Sequence, residues 1–294
     1  MLWFVILLPL CILLKWSGYP LFGYIFLVYP GTLDQVSGYM PQWYRKIIPI
    51  ISFIGIISRG KQGKRGLVIT IPWTITEMED GNRLEVIVRR VNKLAKSIIG
   101  ARSVALAGRM PGVIKQNGYF SLLSPPIVVG DKGAVYTITL SIKQITEALG
   151  ISISKITIGI LGHGFIDSRL VNSLRYFSTN RIFVVGPRIK QERNDYDKVI
   201  LSRDPAKLAS CDLVVILTAS GEQAEGAIEY LKPGVIIVDD THPQLPHRLS
   251  ILIEKNGGRV VKAVLGLDGV AFWPRLPQWG ANWLPGCCIE GLLY

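Results

Sequence analysis

Metal-ligating side chains are scarce in this sequence. Its 294 residues include four cysteines and three histidines, and these are scattered without the spacing that metal sites require. The same scatter provides no disulfide framework. We therefore expect neither a metal site nor a set of disulfide bonds.

Acidic residues are also few, 21 against 33 basic ones, so the formal net charge is +12. The basic residues are spread along the chain, and no recognised nucleic-acid-binding motif is present. Nucleic acid is therefore not the expected partner. The charge favours an anionic partner, namely a phosphorylated cofactor, an acidic carrier protein or anionic lipid headgroups.

An apolar run long enough to span a bilayer is missing as well. Residues 1–14 are apolar throughout, but spanning a bilayer takes about 20 residues, and no basic n-region or cleavage site marks a signal peptide. Residues 1–22 are thus an apolar N-terminal segment, either a membrane anchor or a docked helix. The cations that follow predict a cytoplasmic protein, tethered at the membrane face if the segment is an anchor. A second apolar stretch, 47–57, is buried or lies at a membrane surface.

Residues 155–190 have the pattern of a strand, a glycine turn, a helix and a second strand. The apolar run that begins at Ile156 stops at Gly162, and apolar residues return with helical spacing from Ile166. Two glycines permit a tight turn and a close ligand approach, and the helix N-terminus favours a phosphate. This pattern predicts a dinucleotide-binding turn rather than an ordinary strand-to-helix turn. The residues that we assign to it are Gly162, His163, Gly164, Phe165 and Ile166.

Two features of this segment bear on which dinucleotide binds. Asp167 stands where the third glycine of the motif would be, and a carboxylate is a poor neighbour for pyrophosphate. The second strand is followed by Arg188 and Lys190, with no carboxylate before Glu192. NAD enzymes usually place Asp or Glu there for the ribose 2'-hydroxyl, whereas cations attract a 2'-phosphate. We therefore expect NADP, and the alternative is a solvated basic loop.

Alternating strands and helices predict two α/β domains. The first, a substrate-binding and catalytic domain, covers residues 23–150, because Gly150 ends its last helix. Further buried strands predict a doubly wound parallel sheet of the Rossmann type in residues 151–294. Thr218 and Ser220, at the end of one of these strands, are included in the cofactor site. We expect the segment after about Trp273 to return to the cleft between the domains.

Residues 83–99 predict an amphipathic helix with a basic face. This face is either solvated or a docking patch for an acidic carrier protein. Its cations are Arg89, Arg90, Lys93 and Lys96.

From about residue 25 to the C-terminus, the chain resembles the cyanobacterial long-chain acyl-[acyl-carrier-protein] reductases and, more distantly, the shikimate dehydrogenase-like proteins. The resemblance is carried by GDKGAVY at 130–136, the glycine turn, the loop with Arg188, the strand ending in VDDTHP and the C-terminal GCCIEGLL. In that family a cysteine takes up the acyl group of a thioester, and NADPH reduces it to an aldehyde. The resemblance implies the same reaction here, on a fatty acyl thioester of acyl-carrier protein or coenzyme A. Matching the spacing to Glu290 places the cysteine on Cys287, with Cys288 as the adjacent alternative.

Attack by a cysteine requires a thiol whose pKa is lowered. A helix that begins near Pro285 and Gly286 would place Cys287 in its first turn, where the helix dipole favours the thiolate. Neighbouring residues on a helix point about 100° apart, so only one of the two cysteines should face the cofactor. The alternative is that the cysteine is a small buried hydrophobe.

Two other functions remain open. In a shikimate-like NADP-dependent alcohol dehydrogenase, Lys132 beside Asp131 would be the acid–base pair on the substrate hydroxyl. A non-catalytic, membrane-associated nucleotide-binding protein is the third possibility, indicated by Asp167 and the apolar N-terminus. The C-terminal aromatic residues either line an acyl channel or close the core. These are Phe272, Trp273, Trp279 and Trp283.

Overall fold

A computed structural model describes residues 11–13, 15–18, 21–31, 52–59, 65–78, 81–124, 126–164, 166–177, 179–195, 198–273, 280 and 282–293. The chain forms two units, the first comprising Met1–Gly133 and Leu265–Tyr294 and the second Ala134–Val264. The strands are β1 Tyr24–Val28, β2 Ser52–Arg59, β3 Arg65–Thr70, β4 Ser103–Leu106, β5 Ile127–Val128, β6 Thr157–Leu161, β7 Arg181–Val185, β8 Arg193–Asp195, β9 Val199–Ser202, β10 Leu213–Ile216, β11 Ile236–Asp239, β12 Arg259–Lys262, β13 Leu265–Gly266, β14 Val270–Trp273 and β15 Trp283–Leu284. The α-helices span Ile75–Met78, Gly81–Lys93, Met110–Gln116, Asp131–Ala148, Asp167–Tyr176, Glu225–Ile228, His247–Lys255 and Gly286–Leu293, with a π-helix at Leu94–Ile99 and 3-10 helices at Tyr119–Leu122, Ile153–Lys155, Pro205–Ser210 and Gly221–Ala224.

The first unit is built on a six-stranded sheet with the order β14-β2-β3-β1-β4-β5. Strands β3, β1, β4 and β5 are parallel, whereas β2 and β14 extend the sheet as antiparallel strands. The central strand β1 is almost entirely buried, because a parallel strand is covered on both faces. Alternation places Ile25 and Leu27 in the core with the helix Gly81–Lys93. Tyr24, on the opposite face, lies against Gly291 of the C-terminal helix.

The structure shows where parts of the two apolar stretches of the first unit lie. Residues 52–57 of the stretch 47–57 belong to β2, a sheet strand rather than a membrane-surface segment, and residues 47–51 lie outside the described residues. In the N-terminal segment, Cys11 packs in the core of the unit, while residues 1–10, 14, 19 and 20 are not among those described. Within the described parts of the chain, no helix is long and apolar enough to cross a bilayer.

The second unit is built on a seven-stranded sheet with the order β12-β11-β10-β6-β7-β9-β8. Numbered along the chain, its parallel strands have the order 3-2-1-4-5-6 that is typical of doubly wound dinucleotide-binding sheets, and β8 adds an antiparallel edge. The order reverses at β6, which lies between β7 and β10. Helix Asp167–Tyr176 covers one face through Leu170 and Leu174, and helix His247–Lys255 packs in a separate core cluster. The Rossmann-type sheet is confirmed.

The division into units differs from the expected boundary at Gly150. It falls between Gly133 and Ala134, inside the helix Asp131–Ala148, and residues 265–294 belong to the first unit. The reason is long-range pairing, since β14 pairs with β2 and the helix Gly286–Leu293 packs on β1 and β4. The expected domain of residues 151–294 therefore ends at Val264.

The first turn of helix Asp131–Ala148 and the helix Gly286–Leu293 approach each other closely at a pair of glycines, both in the first unit. A Cβ added to Gly133, in the first turn of helix Asp131–Ala148, would overlap the carbonyl oxygen of Gly286. The atom in the way belongs to the backbone, so a rotamer change cannot relieve the overlap. Glycine at position 133 is therefore a requirement of the packing and not of the local helix.

Gly133→Ala should destabilise the protein, even though alanine is the better helix former. The overlap with Gly286 should reduce the free energy of unfolding by about 1–3 kcal/mol, measured by urea unfolding. Gly112→Ala is the matched control, because a Cβ there meets nothing within 4 Å. In the helix Met110–Gln116 it should be neutral or stabilise by up to about 1 kcal/mol. Equal stability of the two variants would contradict the close contact at Gly133.

Candidate functional site

Gly162 lies where the strand order of the second unit reverses. It follows β6 directly, has a φ of 124° and donates its N–H to the carbonyl oxygen of Val185 at 2.8 Å. An added Cβ would lie 2.8 Å from the carbonyl group of Leu217, just beyond β10. Because the ends of β6 and β10 approach each other so closely, only glycine fits at position 162. In doubly wound sheets, ligands bind at this position, outside the carboxyl ends of the strands.

Gly164 differs from Gly162, because the fold does not require a glycine there. The residue is exposed, and an added Cβ would meet no atom within 4 Å. A glycine that lets a ligand approach the backbone closely is expected to face open space of this kind. Beside it, Ile166 packs against the core of the second unit, and Phe165 lies outside the described residues.

Asp167 is the first residue of the helix that follows the turn, and it is only 4% exposed. Its Oδ1 accepts a hydrogen bond from the Gly164 N–H at 2.9 Å. Its Oδ2 lies 2.7 Å from His163 Nδ1. A carboxylate suits the positive end of a helix dipole. Here it is directed into the glycine turn, onto an N–H group that a phosphate could otherwise take.

The loop after β7 presents two cations, Arg188 and Lys190, and both are exposed. The first carboxylate after them is already engaged. Glu192 Oε2 accepts a hydrogen bond from Ser202 Oγ at 2.9 Å, and Oε1 lies 3.2 Å from Lys207 Nζ. The Ser202 hydroxyl and the Lys207 ammonium hold the pKa of Glu192 below its ordinary value. The loop thus presents two exposed cations, while the Glu192 carboxylate that follows them is bound to Ser202 and Lys207.

Thr218 and Ser220 lie in the loop after β10, the strand next to β6. The Thr218 hydroxyl donates a hydrogen bond to the Ser220 carbonyl at 2.8 Å, and both residues are partly buried. The bond stabilises a loop at the carboxyl edge of the sheet, on the opposite side of β6 from Arg188. Binding of a cofactor by these two residues stays a prediction.

The segment VDDTHP, at the end of β11, is absent from the predicted site residues. Asp239 is buried and accepts hydrogen bonds from the Thr241 N–H at 2.9 Å, the Leu245 N–H at 3.0 Å and Lys262 Nζ at 3.3 Å. Burial, opposed by Lys262 and reinforced by Asp239, raises the pKa of Asp240 to about 7. Two consecutive aspartates after a buried strand were the signal for this cluster. In the described part of the chain, no group of three or more His, Cys, Asp or Glu residues is arranged to hold a metal ion.

In the first unit, Cys287 lies at the carboxyl edge of the parallel strands. It is the second residue of the helix Gly286–Leu293, as predicted, and is half-buried. A Cβ on Gly130, which follows β5, would lie 2.5 Å from the Cys287 Cβ. Tyr29 follows β1, and its hydroxyl accepts a hydrogen bond from the Arg109 N–H at 3.1 Å. Burial raises the pKa of Tyr29, Arg109 opposes the rise, and the nearby Cys287 adds to it.

Cys288, the adjacent alternative, is 0% exposed. Burial raises its pKa well above the ordinary value, and a buried thiol of this kind is inert. Cys11 and Cys211 are buried too. Of the four cysteines, all of which the structure describes, only Cys287 keeps part of its surface accessible.

Glu290 joins the two sequence segments that contain Lys132 and Cys287. Its Oε2 accepts hydrogen bonds from the N–H groups of Lys132 at 3.1 Å and Gly133 at 3.2 Å. The buried carboxylate therefore caps the helix that begins at Asp131. The Lys132 side chain is exposed, whereas Asp131 is 2% exposed. The two members of the predicted acid–base pair are thus in different environments.

The C-terminal aromatic residues are not gathered in one layer. Phe272 is buried in the sheet, while its neighbour Trp273 on β14 is 56% exposed and Trp283 is 43% exposed. Alternation along a strand explains the difference between the first two. Trp279 lies outside the described residues, and an acyl channel stays a prediction.

Comparison with known proteins finds distant structural matches and no sequence match. No family model matches, and no curated protein has a significant match. A chorismate mutase/shikimate 5-dehydrogenase fusion protein from Clostridium acetobutylicum is 11% identical, with a TM-score of 0.40, over 82% of this chain and 85% of that chain. D-lactate dehydrogenase with NAD+ from Lactobacillus jensenii is 12% identical, with a TM-score of 0.35, over 81% and 78%. A D-isomer specific 2-hydroxyacid dehydrogenase from Xanthobacter autotrophicus Py2, in complex with NADPH and MES, is 13% identical, with a TM-score of 0.34, over 52% and 72%.

Similarity at this level identifies neither a family nor an activity for this chain. The resemblance to the acyl-[acyl-carrier-protein] reductases stays a prediction of the sequence. The residues of the two sites must therefore carry any functional assignment.

Gly164→Ala should weaken NADPH binding by about tenfold or more, because a methyl group there holds a phosphate away from the backbone. The melting temperature should not change, since the Cβ enters open space. Gly162→Ala provides the contrast and should lower the melting temperature, because φ is positive and Leu217 is in the way. Fluorescence titration and thermal unfolding measure the two effects. Unchanged NADPH affinity in Gly164→Ala would contradict a dinucleotide at the turn.

Proposed function

We propose that the chain is an oxidoreductase that uses a nicotinamide dinucleotide. The observation that supports this best is the turn at the reversal point of the second sheet, where Gly162 is required by the strands and Gly164 faces open space. The turn leads directly into the helix Asp167–Tyr176. Its N–H groups and the helix dipole would hold the pyrophosphate.

The proposed dinucleotide is NADP. Arg188 and Lys190 are exposed after the second strand of the βαβ unit, where a 2'-phosphate would lie. Glu192, the first carboxylate beyond them, is bound to Ser202 and Lys207. A 2'-phosphate would therefore meet two cations and a carboxylate whose charge is already partly balanced.

The proposed substrate is a fatty acyl thioester, and the proposed nucleophile is Cys287. Its position in the first turn of the helix Gly286–Leu293 favours the thiolate. It is also the one of the four cysteines, all of them described, that is not buried. The surrounding loops follow the carboxyl ends of parallel strands, where α/β sheets bind ligands.

In the proposed reaction, the Cys287 thiolate attacks the carbonyl carbon of the thioester. A bond forms between this carbon and Cys287 Sγ as the bond to the carrier sulfur breaks, and the carrier leaves as a thiol after taking up a proton. NADPH, if bound at the glycine turn, would supply a hydride to the same carbon. The bond to Cys287 Sγ then breaks, which releases the aldehyde and restores the thiolate. One thioester, one NADPH and one proton thus yield one aldehyde, one thiol and one NADP.

An alcohol dehydrogenase that uses Lys132 and Asp131 is less well supported. The backbone N–H of Lys132 binds Glu290, and the Asp131 side chain is buried while the Lys132 side chain is exposed. A buried carboxylate and an exposed lysine are poorly placed to act together on one substrate hydroxyl. A cysteine mechanism needs no such pair.

The acidic acyl-carrier protein is the proposed donor of the thioester. On the helix Gly81–Lys93, the side chains of Arg89, Arg90 and Lys93 are exposed, and Arg89 pairs with Glu85 on the same helix at 2.7 Å. A basic helix face complements an acidic surface and accelerates its encounter. A cytoplasmic location, with residues 1–22 as a membrane tether, belongs to the same proposal.

Arg188→Ala should weaken NADPH binding by about tenfold while leaving NADH binding unchanged, because the side chain would contact the 2'-phosphate alone. Parallel fluorescence titrations with the two dinucleotides measure the ratio. Arg193→Ala removes the same charge from β8, also exposed, and should change neither affinity by as much. An equal loss for NADPH and NADH in Arg188→Ala would exclude the 2'-phosphate contact.

Incubation with a long-chain acyl-coenzyme A, in the absence of NADPH, should acylate Cys287. Mass spectrometry of peptides locates the acyl group. Cys287→Ala should abolish both the acylation and the NADPH-dependent formation of aldehyde. Cys288→Ala is the matched control and should keep both, because that thiol is buried. Aldehyde formation by Cys287→Ala at the wild-type rate would refute the thiol mechanism.

A further inference from the structure

Asp167 has a role in the glycine turn that dinucleotide binding does not require. The residue is 4% exposed, and it begins the helix whose N-terminus would face a pyrophosphate. A carboxylate at this position repels phosphate groups. The turn therefore contains a fixed negative charge at the place where a negatively charged ligand is expected.

The Asp167 carboxylate accepts a hydrogen bond in the turn that a bound anion would otherwise accept. One oxygen accepts the N–H of Gly164 at 2.9 Å, at the glycine whose open face allows close approach. The other lies 2.7 Å from the ring of His163. A phosphate oxygen that approached the turn would need the same kind of donor. It would have to share the Gly164 N–H with the carboxylate or displace it.

We propose that Asp167 weakens the binding of phosphate groups at the glycine turn. The inference rests on the proposed cofactor site. The pyrophosphate is common to NAD and NADP, so weaker binding there lowers the affinity for both. Arg188 and Lys190 then provide a larger part of the affinity that remains, and only a ligand with a 2'-phosphate benefits from them. The carboxylate thus lowers both affinities without changing their ratio, and the ligand that keeps the higher affinity is the one with a 2'-phosphate.

Asp167→Asn tests the proposal, because the amide has the same shape and its oxygen still accepts the Gly164 N–H. The dissociation constants of ADP, NADH, NADPH and adenosine are measured by calorimetry. Loss of the charge should tighten the binding of ADP, NADH and NADPH by about tenfold. Adenosine, which has no phosphate, should bind with unchanged affinity.

Asp212→Asn is the matched control in the same unit. Its carboxylate also accepts a backbone N–H, that of Thr157 at 2.7 Å, but it precedes β10 and thus lies at the amino edge of the sheet. This variant removes the same charge and should leave all four affinities unchanged. If thermal unfolding shows that Asp167→Asn is not folded, Asp167→Ser retains a short acceptor and serves as the second test.

Unchanged or weaker ADP binding in a folded Asp167 variant would overturn the proposal, as would an equal gain for adenosine. The outcome is separable from the fate of the proposed function. If Cys287 is not acylated but Asp167→Asn still binds ADP more tightly, the inference about Asp167 stands and the thioester reaction fails. If the thioester reaction is observed and ADP affinity does not rise, only the role of Asp167 is wrong.

Discussion

The hydrogen bonds from Lys132 and Gly133 to Glu290 determine the arrangement of the candidate site around Cys287. They join residues that are 158 positions apart in the case of Lys132, and they are largely shielded from water. Removing the carboxylate would leave two backbone N–H groups without this acceptor, at about 1–3 kcal/mol for each group that stays buried. With Glu290 fixed, Cys287 lies one helical turn earlier on the same helix and is pressed against Gly130. The position of the thiol thus follows from a helix cap.

Local patterns in the sequence were sufficient for the glycine turn of the second unit and for the strands and helix beside it. Strands β6 and β7 are short apolar runs because both faces of a parallel sheet are covered, and the helix between them has its buried residues at helical spacing, as at Leu170 and Leu174. Gly162 lies in the predicted turn with a positive φ, and only a residue without a side chain fits there between two strand ends. Each of these features depends on residues that are close in the chain.

Features that depend on distant pairings could not be predicted. The stretch that includes Phe53 and Ile57 is an antiparallel strand only because β3 and β14 lie beside it. The boundary at Gly150 was placed too late because a helix stop does not show which core the helix enters. Helix geometry predicts that adjacent cysteines face different surroundings, and Cys288 is buried whereas Cys287 is half-buried. The orientation of Asp167, by contrast, depends on the conformation of the turn. The spacing of residues predicts which side chains share one face of a helix or strand. It does not predict which distant segment of the chain packs against that face.

Three helix N-termini in this protein use the same dipole in different ways. Helix Asp131–Ala148 is capped by Glu290 from another helix, so its positive end is satisfied within the fold. At helix Asp167–Tyr176, the carboxylate of the first residue accepts the N–H of Gly164 in the preceding turn, so under the proposal above a phosphate ligand would compete with a built-in anion. Helix Gly286–Leu293 instead carries Cys287 in its first turn, where a negative charge arises only when the thiol ionises. Stabilisation by the dipole therefore contributes to folding at the first helix. Under the proposals above, the carboxylate at the second helix would lower ligand affinity, and the dipole of the third would support the reaction.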